Sequence, residues 1–207
     1  MFRSGLDWSG DGGDPSRSGS SARLVVVVAT IADDARSVFD EALQRVRRAR
    51  RLPENYCFKF SGSRPGIREA FFVELARQSA SFQATVVDKS TWSEDYLRTT
   101  TGQTRVIEAI VETIATCADT FVAGQTLLID SDRDEQRAVN QIRGRLRRAL
   151  ADADRRSFAR VKAYPDHGGE GAIIQIADMV AGALQDAGEI RGPYLSLIAS
   201  RLLVNRR

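Results

Sequence analysis

The chain has 207 residues, 43% of them hydrophobic and 28% charged, with a formal net charge of +3. That length fits a single domain, residues 1–207, large enough to bury a core, and no apolar run approaches the roughly 18 residues that a membrane span needs. Two cysteines, Cys57 and Cys117, exclude a disulfide framework or a cysteine-rich zinc site; with no apolar leader at the N-terminus, the expected setting is a reducing cytoplasm.

Residues 2–8 read as a first strand ending in Leu6-Asp7-Trp8. A Gly/Ser/Asp-rich stretch follows, and the composition of 10–21 predicts a flexible loop. Leu24-Val25-Val26-Val27-Val28 is a continuous β-branched run of the kind found in fully buried strands. Asp33 and Asp34 can cap the next helix, which carries Val38, Ala42, Val46 and Ala49 at helical spacing and ends before Pro53. Its far end is crowded with Arg45, Arg47, Arg48, Arg50 and Arg51. Arginine suits phosphate because its planar fork binds oxygen pairs, although an ordinary solvated helix face gives the same pattern.

Asn55 to Ser61 reads as a third strand, and Ile67 to Gln78 as a helix with Ala70, Phe71 and Leu75 on one stripe. Phe82 to Lys89 forms a fourth strand, followed by a short turn or helix over Trp92–Leu97. Thr104 to Phe121 is a longer helix, Gln125 to Asp130 a fifth strand, and a helix near Arg133 places Val139, Ile142, Leu146 and Ala149 inward. A second arginine group, Arg143, Arg145, Arg147 and Arg148, lies on it. Phe158 to Tyr164 is a sixth short strand, and a loop holding His167, the one histidine, leads into Ala172–Leu184. That segment is apolar almost all round and so reads as a buried helix, yet Asp178 sits in its middle. A final helix is expected over Tyr194–Val204. Strands alternating with helices predict an α/β fold with a mixed sheet flanked by α-helices.

Working groups in such folds gather at the carboxyl ends of strands, and Asp7, Asp88 and Asp130 end three of them. A core Asp such as Asp178 needs a cation, a donor cluster or a raised pKa; Gln175, one turn earlier, shares its face and can offer donors. Taken singly, Asp7 and Asp11 can shape a turn, Asp130 can cap a helix and Asp178 can be satisfied by arginine or backbone. Taken together, Asp7, Asp130 and Asp178 form a self-repelling cluster that a divalent cation would neutralise. Oxygen-only ligands favour Mg2+ or Mn2+, and a pair of such ions can drive phosphodiester hydrolysis. Asp11 follows Asp7 and Asp132 follows Asp130, and both stand as auxiliary ligands.

Leu6-Asp7-Trp8-Ser9-Gly10-Asp11 resembles the D-E-S-G-D opening of a bacterial family catalogued as domain of unknown function 3800. Ile174-Gln175-Ile176-Ala177-Asp178-Met179-Val180-Ala181-Gly182 is similar to its closing L-Q-x-A-D-x-x-A-G helix, and the strands ending at Asp88 and Asp130 fall in the family's order. The resemblance runs nearly end to end and implies a ribonuclease-H-like fold with a metal-dependent phosphodiester site at Asp7, Asp130 and Asp178. Two positions depart from the pattern: Trp8 stands where the family has Glu, and Cys57 replaces the acid of its E-x-K-x-S strand, while Lys59 and Ser61 are kept.

Lys59 and Lys89 at strand ends are candidates to hold a scissile phosphate, and His167 to act near the leaving group; ordinary edge lysines and a solvated loop histidine are the alternatives. The resulting expectation is a Mg2+- or Mn2+-dependent nuclease-like enzyme with nucleic acid as partner. The competing readings are a catalytically inactive nucleic-acid- or protein-binding module and a nucleotide phosphohydrolase. No Walker loop, Rossmann fingerprint or nucleophile elbow is present.

Overall fold

A computed structural model of the chain describes residues 2–116, 126–130, 139–145, 148, 160–164, 171–187 and 192–207. Its centre is a six-stranded mixed sheet. The strands are β1 (Phe2–Ser9), β2 (Arg23–Ala32), β3 (Ala80–Asp88), β4 (Thr126–Asp130), β5 (Arg160–Tyr164) and β6 (Leu202–Arg206). They lie in the order β5-β4-β1-β2-β3-β6. β1, β2 and β3 pair antiparallel, whereas β4 joins β1, β5 joins β4 and β6 joins β3 in parallel.

The β-branched run of β2 explains its central place. Val25, Val27, Ala29 and Ile31 enter one core, while Leu24, Val26 and Val28 enter the other. A strand covered on both faces has no solvent side, so it carries no polar alternation. On the first face lie α1 (Arg36–Ala49), α2 (Pro65–Ala76) and, against β1 and β2, the helix from Ala172 to Ala187. On the second lie α4 (Gly102–Thr116), after the short α3 (Glu94–Thr99), and the helical residues 139–145, here α5, which contribute Val139 and Ile142. The Ala172–Ala187 helix is α6.

α6 is the most enclosed helix. From Ala172 to Leu184 every position is buried except Asp178 and Gly182, which are half-buried. Its approach to the sheet is set by Gly5, where a Cβ would stand 2.6 Å from the Ile173 carbonyl carbon and oxygen. Only a residue without a side chain lets the helix backbone lie this close to β1.

Two elements differ from the expectations. Residues 55–61 form no strand: 56–59 run between two turns, at 54–55 and 60–62, and belong to no ladder. Phe58 and Phe60 are buried while Lys59 and Ser61 are exposed, so the alternation is strand-like, yet the neighbour is the side-chain surface of α6. At the C-terminus, the helix expected over Tyr194–Val204 is replaced by two single turns, Leu195–Leu197 and Ala199–Arg201, and strand β6. Leu195 and Ile198 still turn into the core, and Leu202–Arg206 covers an edge of β3 that would otherwise be bare. The expected helical positions 117–121, 133–138, Leu146 and Ala149 lie outside the described residues.

Candidate active site

The parallel register of β1 on β4 pairs Leu6 with Ile129, so Asp7 and Asp130 are the next neighbours, at the carboxyl ends of adjacent strands. Their direction follows from alternation. Gly5 faces α6 and Leu128 belongs to the core beneath it, so Asp7 and Asp130, each two residues on, face α6 as well. Leu6, Ile129 and Trp8 turn to the opposite core. Asp178, from the middle of α6, comes up beside Asp7, and both it and Asp130 are close enough to act on Asp7 through their charges. Acids from three distant parts of the chain therefore converge.

The electrostatics of this meeting are unfavourable for three charges. Burial pushes the Asp7 carboxyl well above the ordinary carboxylate range, and the charges of Asp178 and Asp130 push it further. The Trp8 amide, which donates to Asp7 Oδ1 at 2.7 Å, opposes the shift without cancelling it. Carboxyl groups crowded this way are relieved by keeping a proton or by a bridging cation. Their donor set is oxygen alone, which fits Mg2+ or Mn2+ rather than zinc. Among the described residues, no three His, Cys, Asp or Glu side chains already stand in a metal-holding arrangement.

The segment 56–60 braces Asp178 from the other side. The Phe60 amide donates to Asp178 Oδ1 at 2.7 Å, and the Phe58 amide donates to Gln175 Oε1 at 3.0 Å. Gln175 thus accepts a backbone proton and holds the strut. Gly182, one turn beyond Asp178, leaves room for the Phe60 ring: a Cβ there would lie 2.3 Å from Phe60 Cβ. Arg47 donates to the Tyr56 carbonyl at 2.9 Å and lies over the Phe58 ring. Arg68 donates to the Phe60 carbonyl at 3.0 Å and stacks 3.8 Å from the Phe60 ring centroid. Sequence reasoning did not single out Gly5, Arg47 or Arg68 for these tasks; the small residues Ala177, Ala181 and Gly182 around Asp178 are the one signal in the sequence of a close approach. Lys59, between the two phenylalanines, extends its ammonium to 4.0 Å from Asp130 Oδ2 and keeps half of its side chain in solvent.

Asp11 and Lys89 have different surroundings from those expected. Lys89 is fully buried. Its ammonium donates to the Ser20 hydroxyl at 2.7 Å and to the Asp11 carboxylate and carbonyl, both at 3.2 Å. Asp11 also accepts from the amides of Gly13 and Ser21 and from the hydroxyls of Ser20 and Ser21. Burial alone would raise its pKa, but these donors hold it well below the ordinary carboxylate range. Lys89 is therefore corrected from a phosphate contact to an internal anchor, and Asp11 from an auxiliary ligand to its counter-charge. The loop over 10–21 is tied down by this network rather than free, and buried Arg105 grips it again through the Gly12 carbonyl. Asp88 caps the Lys89–Thr91 turn through the Ser90 amide. Asp132 and His167 lie outside the described residues.

No family model matches the chain, and no curated protein matches it. Solved structures do. The crystal structure of ribonuclease H2 from Pyrococcus horikoshii OT3 aligns with a TM-score of 0.53 at 19% identity, over 90% of this chain and 73% of its own. The fold is ribonuclease-H-like. Bst RNase HIII, crystallised in complex with Mn2+, also aligns, with a TM-score of 0.49 at 14% identity over 97% of this chain and 63% of its own. No described helix is long and apolar enough to cross a membrane.

Proposed function

We propose that this protein is a divalent-metal-dependent nuclease that hydrolyses phosphodiester bonds in nucleic acid, with Asp7, Asp130 and Asp178 as its metal-binding and catalytic carboxylates. One observation carries the reading: Asp178 of α6 meets Asp7, with Asp130 beside it, at the carboxyl ends of β1 and β4, closely enough that their charges raise the Asp7 pKa. A fold gains nothing from packing acids together, so the arrangement is explained by a cation that completes it. The ribonuclease-H-like fold supports the choice of chemistry as an analogy between sites, not as proof of activity. Membership of the family of unknown function belongs to the same proposal and rests on the Gln175–Gly182 helix motif.

The chain's own residues take distinct parts. Asp7, Asp130 and Asp178 hold Mg2+ or Mn2+, and Asp132, next but one after Asp130, is a further ligand candidate. When bound, such an ion supplies Lewis-acid polarisation of the phosphoryl group and compensates its developing charge. The Phe60 amide fixes Asp178 and the Trp8 amide fixes Asp7, so neither carboxylate must reorganise during the reaction. Lys59, half in solvent and already beside Asp130, holds the scissile phosphate, and His167 is the candidate proton donor to the leaving oxygen. Trp8 packs in the opposite core and adds no ligand; Cys57 stands beside the Arg47 guanidinium.

Those two replacements favour one other reading, a nucleic-acid-binding module that has lost catalysis. The test is to mix labelled single-stranded, duplex and hybrid substrates with the protein in Mn2+ or in chelator, and to repeat with Asp178→Asn. Cleavage that needs Mn2+ and disappears in the variant supports the nuclease. Binding without cleavage under any metal supports the module, and turnover of free nucleotides alone a phosphohydrolase.

A further inference from the structure

We infer that the cleft between the end of α1 and the start of α2 is a binding subsite for a nucleic-acid backbone leading to the carboxylates, an inference that rests on the proposed nucleic-acid substrate. The cleft has a volume of about 520 Å³ and is lined by Arg50, Leu52, Tyr56, Arg64 and Ile67, among others. Arg50 and Arg64 are exposed, and neither makes an ion pair with a carboxylate among the described residues. Arg50 Nη1 reaches across to within 3.9 Å of the Cβ position at Gly66, so its guanidinium spans the opening. Exposed Arg48 and Arg51 flank it in the chain.

Neighbouring hollows are different. The one beside it shares Arg50 but holds the carboxylates Glu69 and Glu74, and Glu74 accepts from Arg45 and Arg77. In the cleft on the far side of the sheet, Tyr96 donates to Glu108, and Arg145 and Arg207 pair with Glu108 and Glu112. Both carry carboxylates that take up guanidinium groups. The α1–α2 cleft alone of the three sets guanidinium groups beside a half-buried aromatic ring with no carboxylate in its lining. That combination fits phosphate oxygens with a base against Tyr56.

Its position gives the cleft a role. Tyr56 and Gly62 bracket the strut whose Phe60 amide holds Asp178. Arg64 is four residues beyond Phe60, at most about 14 Å along the chain. A strand carries one phosphate per roughly 3.4 Å of helix axis, so the cleft would grip backbone within about four nucleotides of the strut that holds Asp178.

The test is fluorescence anisotropy of labelled single-stranded and duplex oligonucleotides in chelator, where cleavage cannot intervene. The variants are Arg50→Ala/Arg64→Ala, the charge-preserving Arg50→Lys/Arg64→Lys, and Arg98→Ala as a surface control. At low salt the alanine pair lowers affinity about tenfold or more, and the log–log salt slope falls by about 1.4 for a single strand. The lysine pair recovers part of the loss, and Arg98→Ala has no effect. Because both arginines are exposed, an unchanged melting temperature accompanies the loss. Wild-type binding that survives the alanine pair within twofold overturns the subsite but leaves the nuclease reading standing. Equal competition by poly-glutamate overturns it too, as generic attraction. No binding by the wild-type protein removes both.

Discussion

Replacing Gly5 by alanine tests whether the sheet-to-helix spacing sets the carboxylate site. A Cβ at position 5 would lie 2.6 Å from the carbonyl carbon and oxygen of Ile173, where ordinary contact begins at 3.4 Å. The difference, 3.4 − 2.6 = 0.8 Å, must come from a shift of α6 or β1, because the obstacle is backbone rather than a side chain that can turn away. α6 is enclosed on nearly all sides, so the shift strains packing and costs about 1–3 kcal/mol. Alanine's better strand backbone offsets about 0.5–1 kcal/mol of this. The same displacement draws Asp178 away from Asp7, two residues along the strand, and a misplacement of about 1 Å can lower a rate about 100-fold. Urea denaturation measures the first effect and Mn2+-dependent cleavage the second. A variant within about 0.5 kcal/mol of wild type, the usual range of neutral surface substitutions, with unaltered cleavage, would show that the close approach is not what positions Asp178.

Asp7→Asn raises stability in chelator at neutral pH. The folded pKa of Asp7 is raised, so the native state keeps its proton longer than the unfolded chain, and wild-type stability falls as pH climbs from about 4 towards the folded value, by about 1.4 kcal/mol per unit of elevation. The variant lacks that fall, which melting curves across pH will show; parallel curves refute it. Lys89→Met, which removes a buried ammonium from Asp11 and Ser20, destabilises the fold by about 1–3 kcal/mol and speeds amide exchange in the 10–21 loop; unchanged exchange would count against the anchor. The depressed pKa of Asp11 acts in the opposite sense to that of Asp7. Its contribution is present above the unfolded value near 3.9 and is lost as pH falls through the lower folded value, so Asp11→Asn flattens the acid limb of the stability profile.

How far these features can be read without coordinates depends on where each side chain finds its partner. The Val25–Val28 run identifies a central strand because a strand buried twice needs apolar residues at every position. Asp178 stands out because one carboxylate in an otherwise apolar helix demands an explanation, and Asp7 and Asp130 because they end strands. Residues 55–61 deceive for a physical reason: Gln175 and Asp178 accept the amide protons that a strand neighbour would accept, so the alternation is genuine while the ladder is missing. Lys89 is equally opaque. A lysine at a strand end reads as solvent-exposed, and its partners lie 69 and 78 residues earlier. The Leu195–Leu202 spacing admits either a helix or turns, and the open edge of β3 decides for turns and β6.

The order in which the chain contributes its acids has a thermodynamic consequence. Asp7 and Asp130 become neighbours only when β1 and β4 pair across more than a hundred residues, and Asp178 joins them only when α6 docks on that pair. In the unfolded chain the carboxylates are far apart and ionise independently; folding forces them together and raises the Asp7 pKa. Without a cation the site therefore opposes the fold that builds it. A cation binding the folded state alone relieves that opposition and stabilises the protein by an amount that grows with ligand concentration over its dissociation constant. A rise in melting temperature with Mn2+ that is abolished by Asp7→Asn and by Asp178→Asn, yet kept in Lys89→Met, would tie the ion to the carboxylates rather than to the loop anchored by Lys89. A rise of equal size in every variant would place the ion elsewhere.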